Sequence, residues 1–95
     1  MRLNNSRITG TIENINTHLV NTGYMVKMDN KRIILENYKT GAEVNQFYTK
    51  TTRSKFDSLC RFLNLLRLFK TDLKELKNRD HVIIRFFEIA GSENY

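Results

Sequence analysis

Proline and tryptophan are absent from this 95-residue chain, and cysteine occurs once. The single thiol, Cys60, excludes an internal disulfide. No apolar run approaches the roughly 18 residues that a membrane-spanning helix needs. The first ten residues, MRLNNSRITG, lack the apolar stretch of a signal peptide. These absences together place the expected protein in a reducing cytoplasm, away from membranes. Asparagine, with 11 residues, and isoleucine, with 8, are frequent. Their codons are AT-rich, which points to a low-GC genome or a mobile element such as a phage.

The groups that carry catalysis and metal binding are equally sparse. One cysteine and two well-separated histidines, His18 and His81, form no zinc pattern, and no carboxylate cluster resembles a calcium loop. The four glycines, at positions 10, 23, 41 and 91, form neither a phosphate-cradling loop nor a dinucleotide fingerprint. Cys60 sits between Leu59 and Arg61 in an apolar stretch and reads as a small buried thiol rather than a nucleophile. Glu36 and Glu43 can meet across a hairpin, but such a pair belongs more commonly to a wet sheet face. A non-catalytic protein with no cofactor and no metal is expected.

Hydrophobic residues make up 40% of the chain and charged residues 27%, enough for one small globular domain over residues 1–90 with a flexible tail at 91–95. Ile8, Ile12, Ile15 and Leu19 recur at spacings of four, three and four, which predicts a helix from Thr9 to Asn21, stopping at Asn21-Thr22-Gly23. A strand over Leu3 to Ile8 is also compatible with the pattern. Tyr24 to Met28 and Lys31 to Asn37 read as a hairpin turning at Asp29-Asn30, with Met28 opposite Lys31 and Val26 opposite Ile33. Its core face carries Tyr24, Val26, Met28, Ile33 and Leu35. A third strand, Ala42 to Thr49, follows a turn at Tyr38–Gly41. A three-residue loop would turn Phe47 to the core, and a four-residue loop Val44.

Ser54 to Asp57 fits a capping box. Leu59, Phe62, Leu66, Phe69, Leu73 and Leu76 then repeat at three and four, giving one helix to about Lys77 or two helices broken near residue 71. The run His81 to Ile89, HVIIRFFEI, is dense in β-branched and aromatic residues and predicts a final strand with two apolar faces. The expected fold is α+β: an N-terminal helix, a three-stranded antiparallel meander, a long helix and a last strand.

Net charge is +6, and it is concentrated: nine basic and three acidic residues lie between positions 50 and 79, which accounts for all of it. Lys50, Arg53 and Lys55 stand at the start of the long helix, and Arg61 and Arg67 fall opposite its Leu59–Phe62–Leu66 seam. These five form the expected binding patch. A localised positive field holds polyanions, chiefly through phosphates. DNA or RNA is therefore the expected partner. The alternative is an acidic or nucleic-acid-associated protein, with the chain acting as an inhibitory or regulatory factor. Tyr38 beside Lys39, and Phe47-Tyr48 before Lys50, also put rings near positive charge, where a base can stack. Leu63, Leu65 and Leu68 widen the apolar seam beyond what a small core absorbs, which predicts a homodimer through that surface.

Overall fold

A computed structural model describes residues 5–69, 73 and 77–92. The element order is α1 (Asn5–His18), β1 (Tyr24–Asp29), β2 (Arg32–Asn37), β3 (Glu43–Tyr48), α2 (Thr52–Leu68) and α3 (Arg79–Ser92). The strands form one antiparallel sheet in the order β1-β2-β3. Helices cover one face of it: α1 packs on β1, α3 on β3, and α2 packs against both other helices. The core between the layers joins Ile8, Ile15 and Leu19 of α1, Val26, Ile33 and Leu35 of the sheet, and Leu59, Phe62, Leu63 and Leu66 of α2. Leu73, with Ile83, Phe87 and Ala90 of α3, completes it.

The chain ends in a helix, not a strand, and this corrects the expected fold class. The β-rich composition of HVIIRFFEI was the misleading signal. Its polar residues tell the opposite story: His81, Arg85, Glu88 and Ser92 are spaced four, three and four, and all four are exposed. Ile83, Phe87 and Ala90 line the buried side at the matching period. The two apolar faces of the expected strand are one broad helical stripe. Phe87 anchors it, 4.9 Å from Phe47 and edge-on to Phe62 at 5.6 Å. Such aromatic contacts add about 0.5–1.5 kcal/mol each beyond area burial.

α1 begins at Asn5, so Ile8 belongs to the helix rather than to a preceding strand. Leu3, within that alternative strand, lies outside the described residues. The helix ends at His18, and the stop is built as expected: Asn21 and Gly23 take positive φ of 69° and 88°. The first hairpin turns at Asn30-Lys31, not Asp29-Asn30, and pairs Val26 with Leu35 and Met28 with Ile33. The shift in partners is two residues. Because side chains alternate with period two, the core face keeps the same five residues.

The third strand combines both loops that the sequence allowed. The loop has four residues, closed by Asn37 N–H to Ala42 O at 2.8 Å, and Gly41 takes φ 73° within it. A register shift between Leu35 and Glu36 then pairs Glu36 with Glu43 but Leu35 with Asn45, so Val44 is the extra residue of a bulge. The bulge turns Phe47 to the core and leaves Val44 39% exposed.

On the outer face Ile34 is fully buried all the same. Lys27 and Gln46 flank it from the two neighbouring strands. Lys27 pairs with Glu36 at 2.5 Å, and Arg32 binds Asp29, Glu43 and Gln46, so long polar side chains roof this residue. At the β1 edge, the Asn16 side chain stands in for a fourth strand. Its Oδ1 accepts from Val26 N–H at 2.7 Å and its Nδ2 donates to Val26 O at 2.9 Å.

α2 starts three residues earlier than the expected box. Thr51 is the N-cap and Ser54 the reciprocating residue: Thr51 Oγ1 accepts from Ser54 N–H at 3.0 Å, and Thr51 N–H donates to Ser54 Oγ at 3.2 Å. The helix ends at Leu68 with Phe69 as C-cap, which excludes an unbroken helix to Lys77. The suggested break at residue 71 lies outside the described residues, while Leu73 is buried in the core. α3 continues through Ser92; residues 93–95 of the expected tail lie outside the described residues.

Candidate functional site

The end of α2 that carries the basic residues is tied to the β1–β2 turn. Thr49 N–H donates to Lys31 O at 2.9 Å, and Lys55 Nζ donates to Asn30 O at 2.9 Å. Lys55 lies one turn before the buried Ser58 and Leu59, on the core-facing side of α2. Being close to the helix start, it runs past the end of the core and meets the turn. Lys31, Lys50, Arg53 and Lys55 are thereby gathered at one end of the molecule. Lys31, Lys50 and Arg53 are exposed. Arg53 contacts Asp57 at 3.8 Å, but both side chains are largely solvated, and such a pair holds little energy.

The five basic residues named from the sequence do not form one patch. Lys50, Arg53 and Lys55 come together. Arg61 is turned inward, donating to Ala90 O at 2.7 Å and so serving the C-terminal turn of α3. Arg67 is exposed, but it lies fourteen residues along α2 from Arg53, about 21 Å at 1.5 Å per residue. Lys31, outside the run of basic residues at the start of α2, joins the group. Its place depends on Thr49 pairing with it from eighteen residues away.

The three leucines also separate. Leu63 is 6% exposed and belongs to the core, which leaves it no surface for a partner. Leu65 is half-buried. Leu68 is 76% exposed, beside Phe69, whose ring meets Phe86 at 5.1 Å.

Cys60 is half-buried, and burial pushes its thiol pKa up, with Asp57 adding to the rise and Arg67 and Arg7 opposing it. A raised pKa reduces the thiolate fraction that a nucleophile needs. Glu43 does come near β2, but its partner there is Arg32 at 3.3 Å, while Glu36 pairs with Lys27. Among the described residues no group of three or more His, Cys, Asp or Glu side chains is placed to hold a metal ion. No described helix is long and apolar enough to cross a membrane. Comparison with protein-family models, curated proteins and solved structures gives no match.

Proposed function

We propose that the protein is a non-catalytic binding module that grips nucleic-acid phosphates with Lys31, Lys50, Arg53 and Lys55. The observation that carries this reading is the pair of hydrogen bonds tying the β1–β2 turn to the start of α2, which concentrates four cations at one end. The reading rests on charge alone, so the binding it predicts is electrostatic and indifferent to sequence.

Fluorescence anisotropy with labelled duplex DNA, single-stranded DNA and RNA over a salt series tests it. A variant with Lys31, Lys50 and Arg53 all changed to Gln is expected to bind every duplex sequence more weakly and to lower the salt slope by about 3. Lys55 stays in place because it also holds the turn. Arg67→Gln is expected to change little. Absence of binding even at low salt overturns the reading.

A second reading, contact with a protein partner, draws on the exposed Leu68 and Phe69 at the far end of α2. It predicts no affinity for nucleic acid alone, so the same titration separates the two.

A further inference from the structure

The opposite end of the sheet carries a recess. A cleft of about 660 Å3 lies between the α1–β1 loop and the β2–β3 turn, walled by Val20, Tyr24 and Tyr38 and rimmed by Lys39 and Arg79. Its volume falls within the range of small-molecule sites. We propose that this cleft binds a mononucleotide, with the base against Tyr38 and Val20 and the phosphate between Lys39 and Arg79.

The walls call for a planar apolar body. Tyr38 is 71% exposed and Val20 63% exposed, so neither is consumed by the core. A base stacks on such a ring with little dependence on its identity. The rim calls for an anion. Among the described residues, neither Lys39 nor Arg79 has an ion-pair partner. Arg79 opens α3, a helix of fourteen residues whose first-turn amides add to the positive field. Asp80 follows it and opposes that field, so the phosphate depends on both cations together.

The cleft is held in shape before any ligand arrives. Tyr38 N–H donates to Gly23 O at 2.8 Å, which fixes the turn against the loop. Inside the loop, Thr22 Oγ1 donates to Leu19 O at 2.6 Å and accepts from Tyr24 N–H at 3.2 Å. A preformed site loses less freedom on binding. Arg79 also lines the neighbouring recess beside His18 and Leu73. The cleft is independent of the basic end, since six-residue strands separate the two by about 20 Å.

The test is an amide NMR titration with adenosine monophosphate, and separately with adenosine and with inorganic phosphate. Saturable shifts are expected with the monophosphate at residues 21–24, Tyr38, Lys39 and Arg79, with a Kd of about 10 mM or tighter. Adenosine and phosphate alone should each bind at least about fivefold more weakly, and Tyr38→Ala and Arg79→Gln should each cost about fivefold or more. The remaining amides of each variant report that it is folded. The proposal is overturned by a lack of saturation, by shifts confined to Lys31, Lys50 and Lys55, or by inorganic phosphate binding as well as the nucleotide.

Discussion

Asn16 shows how one side chain can finish a sheet. Val26 is buried, and both of its edge-facing backbone groups are satisfied by the Asn16 amide. Asn16→Ala would leave a donor and an acceptor short of partners, at a cost of about 1–3 kcal/mol. Urea unfolding is the measurement, with Thr17→Ala as a neighbouring control expected to fall within about 0.5 kcal/mol of the parent. Gly91 holds a tighter constraint. A Cβ there would stand 2.5 Å from Phe47 Cδ1, and Phe47 cannot retreat without breaking its contact with Phe87. Gly91→Ala should therefore destabilise by about 1–3 kcal/mol through overpacking, read by the same unfolding curve. Asp29 supplies a pH dependence. Its hydrogen bond and charge contact with Arg32 hold its carboxyl below the usual range. A depressed folded pKa gives stability that is present above the ordinary value of about 3.9 and is lost as pH falls through the folded one. The fall in urea midpoint between pH 5 and pH 3 should be smaller in Asp29→Asn than in the parent.

At the scale of elements, what could be read from the sequence depended on whether a pattern was local. The α1 stripe and the core face of the hairpin follow from spacing alone, and the hairpin survives a shifted turn because the slip was even. The third strand was ambiguous for a physical reason: a bulge at Val44 is set by what Phe47 meets on α3, forty residues away. In α3 the β-branched and aromatic composition points to a strand, while the four-three-four period of its polar residues, His81, Arg85, Glu88 and Ser92, belongs to the helix. The basic group divides the same way. Lys50, Arg53 and Lys55 are legible as a run at a helix start, whereas Lys31 joins and Arg61 leaves through contacts eighteen and twenty-nine residues distant. The split among the leucines gives a direct check. Leu63→Ala, in the core, should cost about 2–5 kcal/mol. Leu68→Ser, at an exposed position, should stay within about 0.5 kcal/mol in a dilute sample, where any self-association through that position would be absent.

For the whole molecule, the way charge is spent limits how nucleic acid can be held. The outer sheet face closes its cations within the fold, Lys27 on Glu36 and Arg32 on Asp29 and Glu43. Under the proposed reading, phosphate contact then belongs to the four cations at the turn end. Four neutralised phosphates give a salt slope no steeper than about −4 on duplex DNA. Molecular size sets the footprint. The extents are 40 × 26 × 24 Å, so at about 3.4 Å per base pair one copy covers between about seven and about twelve base pairs, depending on its direction. A 24-base-pair duplex at low salt should therefore take two or three copies, measured by sedimentation of the saturated complex. Slope and stoichiometry test different parts of the argument. A steeper slope with the expected stoichiometry would mean that further cations, such as Arg67 or Arg85, reach the backbone. The expected slope with a single copy per duplex would mean that the turn end is not what sets the spacing along the helix.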